Sequence, residues 1–214
     1  MNDGAAASHD RALAADDRRR AAADRAAAAR ELAEAVQLRL RAANDLKSAM
    51  IDDLTGAWTR KPGLEEVSRE LARANRTRVA LVLAFIDVDG LKQVNDSQGH
   101  LAGDRLLQLV GETIRAHVRP YDVVVRIGGD EFVCAMSNLG ALEARERFGK
   151  VAEALRVVDA EHSVTFGVAE AVPADSLQSL IARADADLLE ARRLRPYRGD
   201  FQPTTLQRRL HRVR

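Results

Sequence analysis

A single cysteine, Cys134, stands in 214 residues, and a lone thiol cannot close an internal disulfide. That excludes a disulfide-stapled secreted scaffold and fits a reducing compartment. No apolar run approaches the ~20 residues that a membrane-spanning helix needs, and the N-terminus lacks the apolar stretch of a signal peptide. Membrane insertion is therefore not expected, and a cytoplasmic location is. Neither sign of charge dominates, because 33 Lys and Arg face 32 Asp and Glu. The overall basic field of a dedicated nucleic-acid binder is missing, so nucleic acid is not an expected partner. What remains is a chain that is 46% hydrophobic, enough for a real core.

Proline and glycine are absent from Ala5 to Arg41, where Ala, Arg, Asp and Glu make up most of the sequence. Alanine is the best helix former and Arg and Glu are good ones, so residues 1–50 read as a helical segment. Its second half carries Leu32, Val36, Leu40, Ala43, Leu46 and Met50 at steps of three and four. Such a stripe needs a partner. Two arrangements fit: a coiled-coil stalk between two chains, or a helix folded back or frayed at its start.

Asp52 to Gly56 stops this helix, and a mixed domain follows over 51–196. Leu64 to Ala74 reads as a helix. Val79 to Ile86 is a continuous apolar, β-branched run, as expected of a strand covered on both faces. Leu101 to Val118 is an amphipathic helix. Val123 to Ile127 and Phe132 to Met136 are short strands around Gly128-Gly129, a hairpin signal if the glycines supply positive φ. Leu142 to Val157 is helical, Ser163 to Val172 a strand, and Leu177 to Arg193 a last helix. The expected class is α+β with the ferredoxin-like βαββαβ order. Residues 197–214 form a basic tail. Many functions use this topology, so the chemistry must come from particular residues.

Two acidic clusters supply it. Asp87-Val88-Asp89 ends the buried strand, and Asp130-Glu131 sits at the tip of the Gly-Gly hairpin. Each alone reads as a cap or a decorated turn. Both at strand ends of one sheet would converge and repel, and the usual remedy is a hard divalent cation with oxygen ligands. Magnesium shared between carboxylates and substrate phosphates is the common arrangement for nucleotidyl transfer. Between the clusters lie a phosphate-sized cation, Lys92, an amide able to read a base edge, Asn95, and a carboxylate able to accept from a guanine amine, Asp104. The plain alternative makes Asn95 a turn residue and Asp104 a helix N-cap.

Arg126-Ile127-Gly128-Gly129-Asp130-Glu131-Phe132 resembles the signature of the GGDEF diguanylate cyclase family. Asp87 through Asp104 is similar to that family's substrate segment. Asp52-Asp53-Leu54-Thr55-Gly56-Ala57-Trp58-Thr59-Arg60 resembles its D-x-L-T-G-L-x-N-R opening motif, and Ser163 to Ala169 its S-x-G-x-A strand. Four motifs in order, spanning about Asp52 to Arg195, make the likeness specific.

The resemblance implies a nucleotide-cyclase palm fold and a homodimer that condenses two GTP into cyclic di-GMP. It implies Mg²⁺ (or Mn²⁺) held by Asp87, the Val88 carbonyl, Asp130 and Glu131, with Asp87, Asp130 and Glu131 as the catalytic residues. Asn95 and Asp104 would read guanine, while Lys92 and Arg192 would meet the phosphates. Arg119-Pro120-Tyr121-Asp122 has the placement of the family's R-x-x-D inhibitory site for cyclic di-GMP, with Arg119 and Asp122 as its ligands.

The chain departs from the family in places. Leu91 stands where an aromatic usually precedes the phosphate lysine, and Ala57 and Thr59 replace the common Leu and Asn. Arg192 replaces a C-terminal lysine, and Pro196 falls where a further arginine is usual. These changes bear on triphosphate affinity more than on metal binding. They keep open a second reading, a catalytically silent domain that acts as a receptor for cyclic di-GMP or GTP. A bare coiled-coil scaffold has no use for clustered carboxylates, and a polymerase would need fingers and a thumb.

Overall fold

The computed structural model describes Arg20 and residues 25–41, 50–158 and 163–194. Ala43, Leu46, Arg195, Pro196 and the tail at 197–214 lie outside them, so the expectations placed there have no structural counterpart. The chain divides into two compact units, Met1–Ile51 and Asp52–Arg214. In the first unit, residues 25–41 are helical, and Leu32, Val36 and Leu40 are exposed.

The second unit is a five-stranded sheet covered by helices on both faces. In chain order it comprises β1 (Trp58–Thr59), α1 (Arg60–Thr77), β2 (Leu81–Asp89), α2 (Leu91–Gln98), α3 (His100–His117), β3 (Val123–Arg126), β4 (Glu131–Ser137), α4 (Ala141–Val158), β5 (Ser163–Glu170) and α5 (Leu177–Leu194). The strands lie in the order β1-β3-β4-β2-β5. Without β1 this is the expected βαββαβ arrangement. The two-residue β1, which the sequence does not announce, adds a parallel edge pairing of Thr59 with Arg126.

The unbroken apolar run of β2 has its explanation in this layering. Val82, Ala84, Ile86 and Val88 face a core shared with Leu106, Val110 and Ile114 of α3 and Phe148 and Val151 of α4. Leu81, Leu83 and Phe85 face the other core, with Val67 and Leu71 of α1 and Leu180, Ala184 and Leu188 of α5. Alternate side chains point to opposite faces, so a strand covered twice has no position left for a polar residue. Cys134 lies in the first core, fully buried, and burial pushes its thiol pKa up. It is packing, as a small apolar side chain would be.

One close approach fixes the height of α5. A Cβ at Gly167 would stand 2.1 Å from the Leu188 backbone nitrogen and 2.3 Å from the Ala184 carbonyl. The helix backbone therefore rests directly on β5 there, and Arg192 projects one turn beyond the contact.

Candidate active site

The acidic clusters meet through strand register. Antiparallel pairing of β2 with β4 sets Asp87 directly opposite Glu131, where facing side chains stand ~4.5–5.5 Å apart at their Cβ atoms. The ladder continues past the last strand residue, because the Val88 N–H donates to the Asp130 carbonyl at 2.9 Å. Asp87, Val88, Asp130 and Glu131 thus share one end of the two interior strands. Asp89 stands beside them and accepts a hydrogen bond from the Thr165 hydroxyl of β5 at 2.7 Å.

Burial and mutual repulsion define the electrostatics. Desolvation pushes the Asp87 carboxyl up to about 7; Arg192 opposes this, and Asp130, Asp89 and Glu131 add to it. Desolvation likewise raises Glu131 to about 7, with Asp130 and Asp185 adding and Arg60 and Arg192 opposing. Both acids are nearly out of water, Asp87 at 5% exposure and Glu131 at 9%. A site of this kind is short of positive charge.

Arg192 supplies part of it from α5. Its guanidinium Nη2 donates to Asp87 Oδ1, and both side chains are buried to a similar degree. Asp185 lies two helical turns earlier on the same face, and burial raises its carboxyl while Arg192 opposes the rise. Neither Asp185 nor Arg60 was singled out from the sequence. The i, i+7 relation between Asp185 and Arg192 was the available signal. Arg60 closes the opening motif in the sequence, but only the β1–β3 pairing carries it toward Glu131.

The signature loop is held from behind. Arg126 Nη2 donates to the Gly129 carbonyl at 2.8 Å, and Nη1 reaches both Asp52 oxygens at 3.2 Å. Asp52 Oδ1 also accepts from Thr55 N–H at 2.9 Å and from the Thr55 hydroxyl at 2.6 Å. The opening motif and the signature motif are therefore one hydrogen-bonded unit. The loop glycines serve a purpose other than the one expected of them. Positive φ occurs at Gly56, Gly90 and Gly99, but not at Gly128 or Gly129. Gly128 instead makes room, since a Cβ there would stand 2.5 Å from Glu131 Oε2.

The segment after β2 turns at Gly90, whose φ of 76° opens α2. Leu91 is buried and Lys92 is exposed on the first turn of that helix. Asn95 packs on α3, where a Cβ at Gly103 would stand 2.0 Å from its Oδ1. This brings Asn95 beside the Gly103-Asp104 step. Asn95 is a helical residue rather than a turn residue, and Asp104 is exposed within α3, whose N-cap is Gly99. Both plain alternatives for this pair are thereby removed.

Arg119 and Asp122 close the turn between α3 and β3, outside the acidic centre. Asp122 Oδ2 accepts from the Arg119 N–H at 2.8 Å, and Arg147 lies 3.5 Å from the same oxygen. The Asp122 side chain is fully buried, and desolvation raises its pKa. Arg119 Cζ sits 5.8 Å from the centre of the Tyr121 ring. The carboxylate thus braces the turn, leaving the guanidinium as the group nearer solvent.

Among the described residues, no three carboxylate, imidazole or thiol groups converge as a ready metal cage. The donor set nevertheless fits a hard divalent cation. It offers desolvated carboxylates of raised pKa, a backbone carbonyl at a strand end, and a guanidinium already compensating their charge.

An antiparallel palm with opposed carboxylates at the end of its interior strands defines a class, the palm domains of nucleotide chemistry. The chain belongs to the GGDEF family: residues 49–196 match the family described as diguanylate cyclase, GGDEF domain. It is 34% identical over 154 residues to diguanylate cyclase DgcS of Shewanella oneidensis, covering 67% of this chain and 50% of that protein. It is 40% identical over 87 residues to DgcP of Pseudomonas aeruginosa, covering 41% of this chain and 13% of that protein. The coiled coil and GGDEF domain of DgcB from Caulobacter crescentus, in complex with c-di-GMP, superposes with a TM-score of 0.74. That match has 27% identity and covers 78% of this chain and 93% of the solved DgcB chain. Diguanylate cyclase SiaD of P. aeruginosa, in complex with its activator SiaC, gives 0.64 at 30% identity over 88% of this chain and 76% of that one. This chain therefore spans half or less of the curated relatives' length. Among the described residues no helix is long and apolar enough to cross a membrane.

Proposed function

We propose that this chain is a diguanylate cyclase that condenses two GTP into one cyclic di-GMP with release of two pyrophosphates. The observation that carries the reading is the register of Asp87 against Glu131, with Asp130 tied to Val88 beside them. Asp87, Asp130, Glu131 and the Val88 carbonyl would hold Mg²⁺ or Mn²⁺. When bound, the cation would supply charge stabilisation at the α-phosphate and a lower pKa for the attacking hydroxyl.

The chain's own residues account for the rest. Asn95 and Asp104, at the α2–α3 corner, read the guanine edge with an amide and a carboxylate. Leu91 gives the base an apolar neighbour, and Lys92 and Arg192 meet the phosphates. Glu131 either completes the cation's ligand set or takes the 3′-hydroxyl proton as that oxygen attacks the other nucleotide's α-phosphorus. Each protomer holds one GTP, so two chains must face each other, and alignment of the two substrates is the dimer's contribution. The exposed stripe at Leu32, Val36 and Leu40 supports a parallel pairing of N-terminal helices. The complex of DgcB with c-di-GMP supports binding of the same nucleotide by this chain, and the Arg119–Asp122 turn, with its guanidinium toward solvent, is where the resemblance would put it.

A second reading, a silent receptor for cyclic di-GMP or GTP, draws support from Arg192, which already occupies Asp87. Incubation with GTP and Mg²⁺ followed by chromatography separates the two readings. Cyclic di-GMP from the wild type and none from Asp130→Ala is the expected result. No product at concentrations that dimerise the chain favours the receptor.

A further inference from the structure

Arg192 stands where a cation is wanted. Its guanidinium and the Asp87 carboxylate are 13% and 7% exposed, so neither exchanges freely with water. Glu131 faces Asp87 from β4, Asp89 and Asp130 stand at the same end of the interior strands, and Asp185 lies two turns before Arg192 on α5. The bond runs to Asp87 Oδ1, one of the two oxygens that Asp87 offers a divalent cation. An arginine has a long flexible stem, and its fork suits a phosphate as well as a carboxylate.

We propose that Arg192 and the divalent cation compete for Asp87, so that metal entry hands Arg192 over to the nucleotide's phosphates. The inference rests on the metal-centre reading above and adds a coupling to it. Bound to Asp87, Arg192 repels an incoming cation and is withheld from phosphate. Each ligand relieves the other's obstacle: the metal takes the carboxylate that holds Arg192, and the phosphates draw Arg192 from the carboxylate. Metal and nucleotide therefore bind with positive cooperativity, and the effect is reciprocal by linkage. The metal-free, nucleotide-free chain keeps part of its acidic centre's charge compensated without a bound ion.

The test is Mn²⁺ binding to the full chain, read from the electron paramagnetic resonance of free Mn²⁺, with no turnover involved. Without nucleotide, Arg192→Gln and Arg192→Met should each bind Mn²⁺ about tenfold more tightly than wild type, within the usual range of site coupling. The GTP analogue with an α,β-methylene bridge, corrected for its own Mn²⁺ affinity, should tighten Mn²⁺ binding strongly in wild type. In either variant it should do so much less. Thermal melts show which variants are folded, and one folded variant suffices. Equal or weaker Mn²⁺ binding by a folded variant overturns the competition, as does undiminished cooperativity. Mn²⁺ binding that is undetectable, or that is unaffected by Asp130→Asn, overturns the metal-centre reading itself and the inference with it.

Discussion

Asp87 and Glu131 face each other across neighbouring antiparallel strands, each drawn from a different acidic motif and each pushed up to about 7 by burial. Two such groups facing each other, with an arginine paired to one of them, set conditions that can be measured.

The first concerns pH. In EDTA both carboxyls bind their protons more tightly in the folded chain than in the unfolded one. Between the ordinary carboxylate range and about 7, the folded state therefore holds more protons. Raising pH through that window removes them at a cost to the folded state. The melting temperature in EDTA should fall from pH 5 to pH 8, and Asp87→Asn should flatten that slope. A melting temperature that rises across the window contradicts the burial argument.

Two glycines test side-chain placement without threatening the fold. The atoms that a new Cβ would strike first are the far ends of Glu131 and Asn95, which can swing away. Gly128→Ala should displace Glu131 and lower kcat about 100-fold, in line with loss of a general base. Gly103→Ala should instead displace Asn95 and raise KM for GTP about tenfold, the scale of one lost hydrogen bond to the base. Both variants should keep near-native urea midpoints.

Asp187 of α5 reaches back to the edge strand β5. Its Oδ2 accepts from the Val168 N–H at 2.7 Å, an edge-strand donor that no neighbouring strand can pair. Its Oδ1 accepts from Arg145 of α4 at 2.6 Å, a pair exposed enough to contribute little. Asp187→Ala should lower stability by about 1–3 kcal/mol, the cost of leaving a buried donor unmet. An unchanged urea midpoint would remove that role.

Product control is expected at the Arg119 turn. Added cyclic di-GMP should slow the wild type, while Arg119→Ala should hold its initial rate. Asp122→Ala should also lower stability, because its carboxylate braces the turn from inside. Equal slowing of wild type and Arg119→Ala would place inhibition elsewhere.

The N-terminal stripe gives the last expectation. Removing residues up to Ser48 should reduce both the dimer fraction in sedimentation and the specific activity. Unchanged values for both would show that the helix sets neither.

Much of this was legible in the chain itself. Continuous apolar runs locate β2 and β4, and the one-sided apolar spacing of α3 locates that helix, each within a few residues, because burial on both faces of a strand or one face of a helix writes itself into local sequence. Gly128 is a different case. Its motif was plain, yet its reason was room for Glu131 rather than a positive φ, and room is a property of neighbours. The short β1 is silent for the same reason, since two residues carry no period.

The sequence by itself determined which groups are present: five acids, an arginine fork and an amide, each attached to an element whose type local periodicity declares. Only the tertiary structure decided which of them meet. Asp87 and Arg192 are 105 residues apart, and their ion pair depends on β5 letting α5 settle on Gly167. Asp87 and Glu131 meet because the register of β2 on β4 sets them opposite each other, and a one-residue slip of either strand would move its side chains to the opposite face and part the two acids. Register and helix height are set by packing across the whole domain, and so no local stretch of sequence encodes them.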